Sequence, residues 1–264
     1  MKRSISLEFD AKTETMEDLG RAGARLIQSR DGFRFGEDTV LLAWFTAGNL
    51  RFRKSRPVRV LELGTNCGAG SILLAARRPD IRIDGVERQE AAFSVFQRNI
   101  TLNSFSDRMR AFCFDLRDLP SEELPGNEYD AVFMNPPYRK AEEGPVTSEA
   151  AHSSGLLEAR FAMHGGVEDF LSCGKKMLAS GGDLFLVDRA KDFSLVMKTC
   201  TELNLIPKRI TFVHPYAEKE ATLFLLSAKK GGKVTGTVIT PPLILRDNER
   251  EYTPQLKKIY SEDN

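Results

Sequence analysis

No apolar run in this 264-residue chain approaches the roughly 20 residues needed to span a bilayer, which argues against a membrane-spanning helix. Cysteine is scarce: Cys67, Cys113, Cys173 and Cys200 stand far apart, none in C-x-x-C spacing, with no signal peptide upstream. They read as reduced thiols of a cytoplasmic protein. Histidine is scarcer still. His152, His164 and His214 are scattered, and without paired ligands at metal-binding spacing no structural metal is expected. An excess of either charge is also missing. Thirty-eight Lys and Arg against 37 Asp and Glu leave a formal net charge of +1, so overall charge neither requires nor excludes nucleic acid. One basic cluster stands out, Arg51, Arg53, Lys54, Arg56 and Arg59, a density that suits phosphates or a solvated linker face. There is no internal repeat and no low-complexity tract, and the 41 % hydrophobic, 28 % charged composition is that of a folded chain with a sizeable core.

What the chain does have is alternation. From residue 58, VRVLELG, GAGSILLAARR, IRIDGVE, EAAFSVFQRNITLN and MRAFCFDL read strand, helix, strand, helix, strand. The pattern continues through YDAVFMN, a helix over 167–179, GDLFLVDR, a helix over 193–203, and KRITFVHP. Strands separated by helices imply a mostly parallel sheet with ligands at the carboxyl ends of its strands. Only YAEKE separates KRITFVHP from ATLFLLSAKK, too little for a crossover helix, so these two strands should run antiparallel. A parallel sheet closed by one antiparallel hairpin resembles the methyltransferases that use S-adenosylmethionine. The expected fold is therefore α/β and Rossmann-like: seven strands, mostly parallel, one hairpin strand antiparallel, helices on both faces. Residues 58–230 form this core. Residues 1–57 read as an added helical segment, and 231–264 as an extension with one more strand in TVITPPLILR.

The first strand ends in LELGTNCGAG, a turn in which Gly64, Gly68 and Gly70 would let the backbone approach a ligand. Glycine turns after strands are common, and this one is not G-x-G-x-x-G. Glu62 adds information, because a carboxylate here would repel a pyrophosphate but suits the ammonium group of S-adenosylmethionine, whose sulfonium is a second nearby cation. Glu87, at the end of the second strand, stands where an acid can accept from both ribose hydroxyls, the alternative being a surface glutamate. Asp115, after the third strand, could accept from the adenine amino group, although strand ends favour Asp in any case. The Glu-x-Gly-x-x-x-Gly pattern resembles the first motif of the class I methyltransferases, except that Asn66 replaces the usual middle glycine. Asparagine is the residue after glycine that best tolerates positive φ.

The fourth strand ends in Asn135, Pro136, Pro137 and Tyr138. A strand can be ended by one proline, which specifies neither neighbour. A chemical reading uses all four residues. The planar amino group of an adenine or a carboxamide is a poor nucleophile with two N–H donors. The Asn135 side-chain oxygen and the Pro136 carbonyl can accept both, acting most strongly as positive charge develops on nitrogen. The prolines make the turn rigid, and Tyr138 can stack on the planar group. Asn-Pro-Pro-Tyr resembles the signature of N6-adenine and N5-glutamine methyltransferases.

Upstream, GFRFGEDTVLLA resembles the stretch preceding the core in the YfiC-like tRNA adenine-N6 methyltransferases, and the likeness runs from about residue 29 to about residue 260. In that family the segment caps the cofactor. The resemblance thus implies that Phe33, Phe35, Gly36, Asp38 and Thr39 help close the pocket. The same stretch also reads as an amphipathic helix capped by Asp38, with Trp44 and Leu42 in the core. After Tyr138 come 21 polar and small residues, long enough to suggest a substrate loop, ending at Arg160, which the resemblance makes a candidate for an RNA phosphate. The Arg51–Arg59 cluster, Lys208 and Arg209 are further candidates for positioning tRNA.

The implied activity is tRNA adenosine N6-methylation with S-adenosylmethionine as donor, by in-line displacement, on the adenosine immediately 3′ of the anticodon of a valine tRNA. A monomer is expected. The rival is a glutamine methyltransferase of peptide-release factors, which usually carries a longer helical N-terminal domain. A DNA adenine methyltransferase would need a separate target-recognition domain. A non-catalytic RNA-binding module would have no use for both Glu87 and an intact Asn-Pro-Pro-Tyr.

Overall fold

Every strand in the middle of the sheet sends alternate side chains to opposite faces, and both sets are apolar, so the sheet has to be covered twice. A computed structural model, describing residues 9–32, 34–120, 122–124, 126–138 and 166–261, shows how. The parallel strands are β3 (Val58–Leu63), β4 (Ile81–Glu87), β5 (Met109–Cys113), β6 (Tyr129–Met134), β7 (Leu178–Arg189) and β8 (Leu205–His214). β9 (Leu223–Lys230) lies between β7 and β8 and runs antiparallel to both, giving the order β5-β4-β3-β6-β7-β9-β8. These are the seven strands, one of them reversed, that the spacing predicts, within a sheet that two further short strands beside β8 bring to nine. Val58, Val60, Ala131, Phe133, Phe185 and Val187 enter one core, with α1 (Glu37–Asn49), α2 (Ala69–Arg77) and α3 (Glu90–Leu102). Leu61, Leu63, Val132, Met134, Leu184 and Leu186 enter the other, with α4 (Val167–Met177) and α5 (Phe193–Glu202). No described helix is long and apolar enough to cross a membrane.

The N-terminal segment is not wholly helical. β1 (Glu14–Asp18) and β2 (Arg25–Ser29) pair as an antiparallel hairpin ahead of α1. Five-residue strands give too short an alternation to stand out in sequence, and the turn between them holds Ala22 at a φ of 49°. The free edge of β2 is covered by two asparagines one turn apart on α3. Asn99 accepts from Ile27 N at 2.7 Å and donates to Ile27 O at 2.8 Å, while Asn103 does the same for Arg25 at 2.9 and 2.8 Å. Side chains thus replace a missing neighbour strand, and the edge is closed to other chains.

The C-terminal extension also departs from expectation. In place of one strand in TVITPPLILR there are two short ones, β10 (Val238–Ile239) and β11 (Leu243–Ile244), both parallel to β8. Pro241 and Pro242 divide them, having no N–H to give a ladder. The chain then forms α6 (Pro254–Tyr260), capped by Thr253, whose hydroxyl accepts from Leu256 N at 3.2 Å. Leu256 and Ile259 join the core of α1, and Arg246 pairs with Glu37 at 3.1 Å.

The arginines of the basic cluster are paired with acidic residues on or beside the neighbouring strands. Arg53 and Arg56 pair with Asp130 at 2.7 and 2.6 Å, Arg59 with Glu128, and Arg51 with Asp183 at 3.7 Å. These pairs lie at the amino ends of β3 and β6 and at Asp183, which stands level with Ala131 of β6, away from the carboxyl ends where an α/β sheet binds ligands. Lys208 likewise donates to the carbonyls of Lys233 and Thr235. Three of these arginines are drawn to Asp130 and Glu128, which the sheet order sets beside the start of β3 and which could not be paired by sequence spacing.

Candidate active site

At the carboxyl ends of β3 and β4 two buried carboxylates face the same turn. Glu62 lies on β3, 4 % exposed, and accepts from the hydroxyl of Ser71 in the first turns of α2. Burial, with the neighbouring Glu87 charge adding to it, pushes its carboxyl up to about 8. Glu87, 7 % exposed, accepts from Asn66 N at 2.8 Å and Gln89 N at 2.7 Å, tying the loops after β3 and β4 together. Asn66 has a φ of 50°, so asparagine does adopt the left-handed geometry usually left to glycine.

The glycines of this turn are also required by the protein's own packing. A Cβ on Gly68, whose φ is 85°, would run into the ring of Phe96. One on Gly70 would strike the Glu62 carboxylate, and one on Gly64 would come within 2.9 Å of Phe170. Phe96 and Phe170 reach these points from α3 and α4, so only the fold reveals the collisions.

Asp115, after β5, has donors of its own: Arg117 Nε and Nη2 at 2.9 and 2.6 Å and Arg88 at 3.2 Å. Arg117 foremost holds its carboxyl well below the usual carboxylate range. Glu62 and Glu87 differ in this respect, since among the described residues no lysine or arginine pairs with either. Two buried acids without a counter-cation fit a cationic ligand and would repel a phosphate. No group of three or more potential metal ligands occurs among the described residues.

β6 is the central neighbour of β3, in register Leu63↔Met134, which brings the Asn-Pro-Pro-Tyr turn next to the glycine turn. Both ends of the four-residue turn are tied to the start of α1. Asn135 Nδ2 donates to Thr39 Oγ1 at 3.3 Å, and the Tyr138 hydroxyl donates to Asp38 Oδ2 at 2.8 Å. Asp38 Oδ1 in turn accepts from Thr39 N at 2.7 Å. Gly36, not Asp38, holds the helix N-cap, so the carboxylate expected to cap α1 is instead committed partly to Tyr138. Phe35 and Trp44 are partly buried and pack against the core, Leu42 is buried, and Pro136 is buried while Asn135 and Pro137 are half-buried. Burial first, and then the Asp38 carboxylate, raises the Tyr138 phenol well above its ordinary value, so the hydroxyl stays a donor at any physiological pH.

Sequence reading missed three residues at the carboxyl end of β7 and in the turn that follows it. Asp188 is 4 % exposed, and burial pushes its carboxyl up to about 6. Arg189 lies with its guanidinium carbon 5.6 Å from the Tyr138 ring centroid, and Asp192 holds Arg189 at 2.8 and 2.7 Å. The signal was LVDR, an acid at a strand end, but only the β6–β7 pairing sets it beside Asn-Pro-Pro-Tyr. Phe33, Arg160 and the loop over 139–159 lie outside the described residues.

The model of the methyltransferase small domain matches residues 47–202. A protein of Porphyromonas gingivalis named tRNA1(Val) (adenine(37)-N6)-methyltransferase is 28 % identical over 241 residues, 88 % of this chain and 89 % of its own. A Flavobacterium psychrophilum protein of the same name is 28 % identical over 205 residues, 77 % of this chain and 82 % of its own. Among solved structures, a predicted O-methyltransferase of Agrobacterium tumefaciens superposes with a TM-score of 0.64 at 24 % identity, covering 84 % of this chain and 95 % of that one. TYW2 of M. jannaschii, solved in complex with AdoMet, gives 0.54 at 15 % identity, over 84 and 88 %. The sheet order and its reversed strand are those of a class I methyltransferase, and the chain belongs to the methyltransferase small domain family.

Proposed function

We propose that this enzyme transfers the methyl group of S-adenosylmethionine to N6 of an adenosine in tRNA, the adenosine 37 of a valine tRNA for which its relatives are named. The observation that carries the reading is the Asn135–Tyr138 turn, hydrogen-bonded at both ends to Asp38 and Thr39 and set beside two buried carboxylates that no lysine or arginine pairs among the described residues. When bound, S-adenosylmethionine supplies an electrophilic methyl group on a sulfonium. Glu62 and Glu87 face its cationic and ribose portions, with Gly64 and Gly68 shaping the turn between them. Asp115 stands at the adenine end and Phe35, Gly36, Asp38 and Thr39 close the pocket. Asn135 and the Pro136 carbonyl accept from the target amino group, and Tyr138 with Pro137 lines the base. With Nδ2 given to Thr39, Oδ1 is the atom Asn135 has left to accept with. No general base is needed before transfer, because the proton leaves after the nitrogen has become cationic.

An adenine in a tRNA loop can be splayed from its stack at modest cost and inserted beside Tyr138, with Arg160 available to a phosphate. The enzyme acts as a cytoplasmic monomer, with residues 58–230 as the catalytic core, 1–57 as its cap and 231–264 as an extension. The test is incubation with labelled S-adenosylmethionine and either bulk tRNA or a release factor, followed by mass analysis. Label in N6-methyladenosine is expected. Label only in protein would replace the base by a glutamine.

Glu62 gives a second check. With its carboxyl raised to about 8 it is mostly protonated at pH 7, and a cation placed against it favours the ionised form. Cofactor binding at pH 7 should therefore release a proton, and at pH 9, where the group is already ionised, it should not. Calorimetry in buffers of different ionisation enthalpy reads this directly. Heats that do not depend on buffer at pH 7, or the same proton release from Glu62→Gln, would remove Glu62 from the cation site.

A further inference from the structure

The residues that carry the chemistry explain why Tyr138 is present but not why its ring has one orientation. Its hydroxyl is fixed at 2.8 Å from Asp38 Oδ2, which anchors the tip alone. A ring held at Cβ and at its hydroxyl can still turn about the line joining them. Arg189 removes that freedom, its guanidinium carbon lying 5.6 Å from the ring centroid and so covering one face. The guanidinium is itself fixed. Its Nε and Nη2 both reach Asp192 Oδ2, at 2.8 and 2.7 Å, across one turn of 3-10 helix (Ala190–Asp192), and its side chain is only 18 % exposed. Arg189 ends β7, next to the strand that leads into the Asn-Pro-Pro-Tyr turn, so the clamp is built into the sheet.

We propose that Arg189, held by Asp192, is a positioning residue of the methyl-transfer site: it blocks one face of Tyr138 and presents the other to the target base. The proposal rests on the tRNA adenine reading above. Arg189 does not contact the reacting atoms; it acts through the tyrosine. A planar base then has a single face on which to stack, which fixes where its amino group meets Asn135. The planar fork matters, since lysine carries the charge but can neither lie flat on the ring nor bridge to one carboxylate oxygen in the same way.

The test is a cycle of variants assayed for transfer to tRNA, with cofactor affinity and melting temperature measured on each. Arg189→Gln and Asp192→Asn should each lower kcat by about 10-fold, with cofactor Kd unchanged. Arg189→Lys should recover only part of the loss. In a Tyr138→Ala background Arg189→Gln should cost nothing further, because the residue it orients is gone. An equal loss in that background would overturn the proposal, since Arg189 would then act on the substrate directly; unchanged kcat in Arg189→Gln would overturn it as well. If Arg189→Gln does not fold, Asp192→Asn carries the same cycle. The wild-type enzyme in the same assay separates the two readings: no label in tRNA defeats the proposed substrate, whereas label in tRNA at the same rate from Arg189→Gln defeats only the clamp.

Discussion

Replacing Asn135 with alanine is expected to lower the rate of methyl transfer by about 10²–10³-fold while leaving cofactor affinity within about two-fold. The asymmetry follows from what the side chain touches. Its amide nitrogen is held by Thr39 Oγ1 at 3.3 Å, so the carbonyl end is preset and needs no reorganisation when charge develops on the target nitrogen. Such an acceptor is worth little while the amine is neutral and most when it is cationic, which places its effect in kcat. Thr39→Val should reproduce part of the loss by freeing the amide to rotate. Single-turnover transfer and calorimetric cofactor binding, measured on the same preparations, check both statements. Equal loss of binding and transfer in Asn135→Ala would show that the residue holds the cofactor rather than the reacting amine.

Asn99→Leu is expected to destabilise the protein by about 3–4 kcal/mol, several times the effect of a surface substitution. Asn99 is fully buried and serves three backbone groups: Ile27 N at 2.7 Å, Ile27 O at 2.8 Å and Cys67 O at 2.8 Å. Leucine matches its size but leaves all three without a partner, each at about 1–3 kcal/mol of desolvation, part of which relaxation recovers. Cys67 belongs to the glycine turn, so the same substitution should weaken cofactor binding although Asn99 is not expected to meet the ligand. Urea unfolding and the melting temperature with and without S-adenosylmethionine test this. Asn103→Ala, one turn away and less buried, is the comparison and should cost about 1 kcal/mol. Similar values for the two would mean that the hairpin is held by its apolar face and not by these asparagines.

The chain shows clearly why some features are legible in sequence and others are not. Strand alternation and crossover length are local quantities, and they yielded seven strands, the reversed β9 and helices on both faces. Asn66 at positive φ is also local, because the turn requires it and asparagine tolerates it. The N-terminal hairpin was not legible, since β2 is stabilised from outside its own sequence, by α3. The single strand expected in TVITPPLILR was divided by two prolines whose effect depends on which edge of β8 they meet.

The candidate site divides in the same way. Asn135, Tyr138, Glu62 and Glu87 could be put forward from sequence because chemistry constrains residue type at a strand end, whatever lies around it. Partners were not readable, because they are set by packing between elements far apart in the chain. Asp38 meets Tyr138 across 100 positions and Thr39 meets Asn135 across 96. Arg51, Arg53, Arg56 and Arg59 are paired with acids on or beside neighbouring strands that sequence spacing does not reveal. By itself, then, the sequence determined the fold class and the residue types proposed for the chemistry, both set by local spacing and side-chain reactivity. Tertiary structure alone decided which glycines face protein, which charges are paired and which side chain lies over the Tyr138 ring. Those are matters of three-dimensional neighbourhood, and neighbourhood is fixed only once the strands have taken their order.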